Sequence, residues 1–203
     1  TITYEKIAVS SLEDLDVTGK TQYVLVGQYA GTSNAVALDS DSVSGTAVTL
    51  SDNTLTGTLD ASCYWKIKTT DNSNFTLVSG DNDMAVTAIE FVNASSIPSD
   101  KVSTFNIKFG SSFNATHTNI MLHSIYNTNK YVGATKDNET GLTNGFGLNE
   151  NSNPWNGNVN QQETLAVYKV TDSTPKPDQK PPTNELIGKY LFEGNLINEA
   201  KDD

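Results

Sequence analysis

The chain has 203 residues and a net charge of −11, and all thirteen of its basic residues are Lys. An acidic surface repels polyanions, and Lys lacks the planar fork with which Arg grips phosphate, so these features argue against a nucleic-acid partner. No apolar run approaches the roughly 18 residues that a membrane-spanning helix needs, which argues against membrane insertion.

The first third of the chain alternates short β-prone runs with polar turns. Ser11–Leu15 has a capping residue followed three positions later by an acid, which predicts one helical turn. Period-two apolar positions place Trp65 and Ile67 on one face of a strand, and the single cysteine, Cys63, is predicted to be a buried, inert thiol. The other predicted strands here are Tyr4–Val9, Tyr23–Tyr29, Ala35–Leu38, Ala47–Leu50 and Leu55–Leu59.

Two further groups of strands follow. One contains Phe75–Val78, Met84–Val92 and Thr104–Phe109. The other begins with a hairpin in which the turn Asn127–Asn129 joins two β-prone runs, because Asn tolerates the left-handed backbone of a tight reversal. Its segments are Ile120–Tyr126, Lys130–Thr135, Gly141–Asn149 and Thr164–Val170.

The three groups begin at Tyr23, Phe75 and Ile120, which is an irregular period of about 50 residues. Three units of about four strands are what a β-trefoil requires, so the predicted fold is all-β with a β-trefoil as the first choice. A closed β-barrel of lipocalin-like or Greek-key type, or a sandwich, remains the alternative, since periodicity identifies strands better than it identifies topology.

The composition changes after residue 170. Residues 171–185 contain four prolines and little apolar content, which predicts an extended linker after an all-β module at 1–170. Residues 186–203, with Tyr190-Leu191-Phe192 before Glu193-Gly194-Asn195, resemble the start of a laminin-G-like, concanavalin-A-like lectin domain. The resemblance implies the truncated start of a second β-sandwich, either docked on the first domain or paired with another chain.

Residues 4–170 resemble accessory β modules of surface proteins and carbohydrate-active enzymes from gut bacteria. The resemblance rests on Tyr4–Ile7, Ser11–Leu15, Tyr23–Val26, Lys130–Gly133 and Leu165–Lys169. It implies an extracellular or cell-surface, multi-domain parent and a non-catalytic module beside neighbouring domains of the same polypeptide. The Gln-x-Trp signature of ricin-type lectin trefoils is absent, since Gln161-Gln162-Glu163 lacks the Trp.

One loop has the composition of a sugar site. Trp155 stands among Asn153 and Asn156, and an indole can lie on the apolar face of a sugar ring while amides bond to its hydroxyls. The polar partners predicted for it, in a neighbouring turn, are Asp137, Asn138 and Glu139. The alternative is structural: Trp155 plugs a barrel end, and the acidic residues form a solvated turn.

These observations predict a non-catalytic carbohydrate-binding or adhesion module that takes a glycan and needs no cofactor. A structural spacer or protein-interaction domain is the alternative, and a glycoside hydrolase is a third reading that depends on carboxylates converging in space. Oxygen ligands for calcium are available at Asp39 with Asp41, at Asp81 with Asp83, and at Glu150, none of which has EF-hand spacing. The chain opens at Thr1 without Met, which predicts a processed or partial chain.

Overall fold

A computed structural model describes residues 1–85, 90–125, 130–150 and 161–173 of the chain. The chain divides into two units. One unit spans Ile2–Asp172. The other comprises Thr1 and the residues from Ser173 onward; within it, the Ser173 N–H donates to the Thr1 carbonyl oxygen at 2.9 Å. The predicted linker, apart from its first three residues, and the predicted lectin-like segment 186–203 lie outside the described residues.

The described residues form an all-β structure, as the sequence predicted. Its strands are β1 (Ile2–Ile7), β2 (Tyr23–Gly27), β3 (Ala35–Asp39), β4 (Ser42–Ser51), β5 (Thr54–Thr56), β6 (Lys66–Thr69), β7 (Phe75–Ser79), β8 (Asn82–Ala85), β9 (Glu90–Asn93), β10 (Thr104–Phe109), β11 (Ile120–Ser124), β12 (Lys130–Lys136), β13 (Thr143–Glu150) and β14 (Ala166–Asp172). Short 3-10 helices occupy Leu12–Asp14, Ala61–Cys63, Gly110–Ser112 and Gln161–Glu163. None of the described helices is long and apolar enough to cross a membrane.

The strands form two sheets. Six strands close into a barrel in the order β1-β14-β2-β3-β4-β5, in which β5 pairs back to β1 through Thr54 and Glu5. The second sheet has the order β13-β12-β11-β10-β7-β8-β9, and β6 pairs with β7 off this path. All of the pairings are antiparallel, which accords with the short connections and alternating patterns of the sequence.

We call the three groups of strands predicted from the sequence strand units; they open with β2, β7 and β11 and close with β6, β10 and β14. Two single bridges between the sheets, and the pairing of β7 with β10, make the opening and closing strands of each strand unit neighbours. Each unit begins with a residue that pairs with the start of its own closing strand: Tyr23 with Trp65, Phe75 with Phe105, and Ile120 with Leu165. These six side chains are at most 3% exposed. Each closing strand also pairs with an opening strand of another unit, β6 with β7, β10 with β11 and β14 with β2. Opening and closing strands therefore alternate in a closed ring.

The larger of the buried hydrophobic clusters takes side chains from all six strands of this ring. Trp65 and Ile67 are both fully buried, which confirms that they share one face, and the Trp65 Nε1–H donates to the Leu38 carbonyl at 2.8 Å. Cys63 is also fully buried, and burial raises the pKa of its thiol to about 11. Gly133 allows a close backbone approach, because a Cβ at this position would lie 1.9 Å from the Gln162 carbonyl oxygen.

The predicted helical turn is confirmed at Leu12–Asp14, where the Asp14 carboxylate accepts hydrogen bonds from the backbone N–H groups of Ser10 and Ser11 at 2.8 and 3.0 Å. The prediction of one strand over Met84–Val92 is wrong. The structure places two strands there, β8 and β9, which pair antiparallel with Met84 opposite Phe91. The intervening sequence contains none of the Gly, Pro, Asn or Asp residues that mark a reversal, so the sequence pattern gave no break.

Candidate functional site

An open polar groove of about 660 Å³ lies within Ile2–Asp172, where the end of the first strand unit meets the second. Its walls come from β6, the β7–β8 turn, the Ala61–Cys63 helix and the β3–β4 turn. The polar side chains that line it include Gln22, Ser62, Lys66, Lys68, Asp81 and Asn82. We call this feature the β6–β8 groove.

The wall at the β3–β4 turn is fixed by a buried carboxylate. Asp39 accepts hydrogen bonds from the Asp41 N–H at 2.9 Å and from the Thr46 hydroxyl at 2.7 Å. Burial acts to raise the pKa of Asp39, but these hydrogen bonds outweigh it and leave the pKa below its usual value. The turn is tied to the opposite wall, because the Ser40 N–H donates to the Ser62 carbonyl at 3.0 Å.

The second wall is anchored by Ser79 at the end of β7. Its hydroxyl lies 3.2 Å from the Ala61 carbonyl oxygen and 3.0 Å from that of Ser62. Ser79 is 3% exposed, so this contact is shielded from water. The β7–β8 turn and the short helix before β6 are therefore held against each other, and the groove between them is formed before any ligand arrives.

Strand register assembles a row of three side chains on one face of the sheet. Lys66 of β6 lies opposite Val78 of β7, and Val78 lies opposite Asp83 of β8. Directly opposed residues of antiparallel strands point to the same face, so Asp83, Val78 and Lys66 form a cross-strand row. Lys66 and Val78 line the groove.

Asp83 is the unusual member of that row. It is 5% exposed, and its Oδ1 has no hydrogen-bond partner. Burial raises the pKa of this carboxyl, and the positive charge of Lys68 offsets part of the rise. The Lys68 stem passes over Gly19, where a Cβ would lie 2.7 Å from the Lys68 Cε atom. A buried carboxylate oxygen without a partner is costly, and groups of this kind mark candidate functional sites.

The groove offers hydrogen-bond donors and acceptors in balance. Lys66 and Lys68 supply ammonium donors, Asp41 and Asp81 supply carboxylate acceptors, and Asn82 supplies both. The formal charges of these groups cancel, although the whole chain carries −11. Among the described lining residues the aromatic one is Tyr64, which is buried and whose hydroxyl is 2.7 Å from that of Tyr4. The lining therefore suits a neutral, polyhydroxylated molecule better than an ion.

The three sequence-predicted site residues that the structure describes, Asp137, Asn138 and Glu139, do not line the β6–β8 groove. Asp137 begins the turn between β12 and β13, and its Oδ1 accepts the Thr140 and Glu139 N–H groups at 3.1 and 2.7 Å, which lowers the pKa of its carboxyl. Asn138 and Glu139 are exposed in the same turn. Trp155, Asn153 and Asn156 lie outside the described residues, so the pairing predicted between the loop and the turn stays a prediction.

The predicted calcium ligands are not gathered into a metal site within the part of the chain that the structure describes. That part contains no group of three or more His, Cys, Asp or Glu side chains placed to hold an ion. Both carboxylate oxygens of Asp39 accept hydrogen bonds, from Asp41 in the turn and from Thr46 in β4, while Asp41 and Asp81 line the groove. Glu150 lies in β13.

Sequence reasoning missed the β6–β8 groove. The alternation at Lys66 and Lys68 places both on one face of a strand, which was a usable signal. The signal for Asp83 was weaker, because its place beside Val78 depends on the register of the β7–β8 hairpin.

Comparison with protein-family models gives no match to the chain. No curated protein matches it either. A solved structure described as "Structure and mode of action of a mosquitocidal holotoxin" is similar at 9% sequence identity and a TM-score of 0.49. The similarity covers 80% of this chain and 18% of the holotoxin chain. The chain therefore corresponds to less than a fifth of that protein's length.

Proposed function

We propose that residues 2–172 are a non-catalytic carbohydrate-binding module and that the β6–β8 groove is its glycan site. The observation that carries the proposal is the lining of the groove, in which Lys donors, carboxylate acceptors and the Asn82 amide surround an open volume of about 660 Å³. Sugar hydroxyls donate and accept at once, so they pair with both kinds of group, whereas an ion would pair with one.

The hydrogen bonds between the groove walls support binding without a large movement of the backbone. Hydrogen bonds from Ser40 and Ser79 hold the two walls together, so little order has to be created when a ligand binds. We expect an affinity near the millimolar range, about −4 kcal/mol per site, with avidity supplied by neighbouring domains.

We infer that the architecture is a β-trefoil. Support comes from the alternating ring of opening and closing strands, in which three units contribute two strands each. In a trefoil the segments between opening and closing strands form three hairpins, and β3–β4, β8–β9 and β12–β13 pair in this way. The fold would set the groove between hairpins of successive units.

The setting that we propose is a larger secreted or cell-surface bacterial protein, as the resemblance of residues 4–170 to gut-bacterial accessory modules implies. In that setting the module holds glycans while other domains act on them. In an adhesive role, the same module would bind a glycoconjugate on another surface.

A glycan array followed by isothermal titration tests this function. We expect a hit that weakens about tenfold in Lys66→Ala and in Asn82→Ala, because each variant removes a hydrogen-bonding group from the groove. Asn144→Ala is the matched control, since this exposed amide lies outside the groove lining and outside the turn predicted to partner Trp155. Trp155→Ala tests the loop predicted from sequence, and loss of binding in that variant alone would move the site to the loop. A silent array with folded protein would refute glycan binding and favour the structural spacer.

A further inference from the structure

The cross-strand row Asp83–Val78–Lys66, in which Val78 and Lys66 line the groove, places three different kinds of side chain in order across three strands. An acceptor, an apolar side chain and a donor follow one another on a single face. Adjacent strands are about 4.8 Å apart, so the two ends of the row are separated by about 10 Å at the backbone. The side chains at the two ends differ in reach, since Asp is short and Lys is long.

These dimensions fit one sugar ring. We propose that the row is a subsite for a single neutral pyranose, whose C–H face lies on Val78, one of whose hydroxyls donates to Asp83, and whose far-side oxygen accepts from the Lys66 ammonium. The proposal deepens the glycan-binding function and rests on it. It assigns each end of the ring a different chemical partner, which a groove of scattered polar groups would not do.

Asp83 supports this assignment through its environment. Its Oδ1 is buried without a partner, and a hydroxyl donor from a ligand would provide one. The approach has to come from the groove side, because the next residue, Met84, points to the opposite face and is fully buried in the core. Asp83 is 5% exposed and is not itself among the residues that line the groove, so a sugar hydroxyl would reach its Oδ1 past Val78, which lines the groove and neighbours Asp83 in the row.

The charge of the neighbourhood selects against ionic ligands. Lys66 and Lys68 line the groove and would repel an ammonium group brought to Asp83. Asp81 and Asp41 line the same groove and would repel a carboxylate or sulfate brought to the lysines. A hydroxyl group carries neither penalty, so the row favours a neutral saccharide over an amino sugar or an acidic sugar.

The test uses the full chain with methyl glycosides of glucose, galactose and mannose, followed by NMR. We expect intermolecular NOEs between the Val78 methyl groups and sugar ring protons. We also expect the dissociation constant to rise about tenfold or more in Asp83→Asn and in Lys66→Met. Glu90→Gln is the matched control, because it removes a carboxylate from the adjacent strand β9, where Glu90 pairs with Lys101 at 2.7 Å outside the groove lining. Its dissociation constant should stay within about twofold of wild type.

The outcomes separate the subsite from the function. A saccharide that binds wild type and Asp83→Asn equally, or whose NOEs fall on methyl groups other than those of Val78, overturns the subsite and leaves glycan binding standing. Tighter binding of glucosamine than of glucose would also overturn it, since the row would then be reading a cation. If none of the saccharides binds the folded protein, the proposed function itself fails. A thermal melt of each variant establishes that it is folded before binding is judged.

Discussion

Asn34 connects the first and third strand units through both the oxygen and the nitrogen of its side-chain amide. Its Oδ1 accepts the Thr143 N–H at 2.8 Å, and its Nδ2 donates to the Thr143 carbonyl at 2.8 Å. Thr143 is 4% exposed, so water cannot readily replace either bond. Asn34→Ala removes both partners and leaves a buried donor and a buried acceptor. At about 1 to 1.5 kcal/mol for each lost bond, we expect the free energy of unfolding to fall by about 2 to 3 kcal/mol.

Urea denaturation followed by circular dichroism measures this loss. The midpoint should fall while the slope of the transition stays constant, because the variant exposes the same surface on unfolding. Asn144→Ala is the control, since this exposed neighbour of Thr143 should change stability by less than about 0.5 kcal/mol. A second variant, Asn34→Asp, keeps the acceptor and replaces the donor with an oxygen that faces the Thr143 carbonyl, so it should be destabilising and should partly recover in acid. If Asn34→Ala loses less than about 0.5 kcal/mol, the amide is not a connection between the units.

Three further predictions follow from described contacts. The Asn74 N–H and neighbouring donors lower the pKa of Asp71 from 3.8 to about 2, so its contribution to stability is present above pH 4 and is lost as the pH falls towards 2; acid titration of Asp71→Asn should show a smaller loss than wild type over that window. Cys63 is fully buried with a thiol pKa of about 11, so it should react with a disulfide reagent at least about a hundredfold more slowly in native protein than in urea, and fast native labelling would contradict its burial. Gly133→Ala should cost about 3 kcal/mol or more by thermal or urea unfolding, because its Cβ would meet the Gln162 carbonyl oxygen at 1.9 Å; a neutral effect would mean that this backbone separates easily.

Local pattern was sufficient for most strands. Thr104–Phe109 was predicted with the bounds that β10 has, and the alternation at Trp65 and Ile67 identified a core face. The hairpin of β11 and β12 was likewise predicted, and its strands pair antiparallel. These elements have turn residues at their ends and apolar residues at every second position, so the information lies within a few residues of the strand itself.

The sequence pattern did not show which strands pair with one another or in what register. Two β-prone runs without a polar break looked like one strand at Met84–Val92, although the chain reverses within it. The groove depends on the same kind of information, because Lys66, Val78 and Asp83 come together only through the register of three strands. Composition drew the site prediction to Trp155 and its amides, where the cluster is contiguous in sequence. A site assembled across strands leaves no such cluster.

The pairing of β1 with β14 runs along the whole of both strands, from Ile2 opposite Asp172 to Ile7 opposite Val167. The polypeptide therefore enters and leaves the unit Ile2–Asp172 at two points only about 5 Å apart. A unit built in this way can be spliced into a surface loop of an unrelated host with hardly any change to the host's backbone path. It can also be reopened at a hairpin and rejoined at Ile2 and Asp172 by a short connector, which makes circular permutants a practical way of presenting the same face in a new orientation.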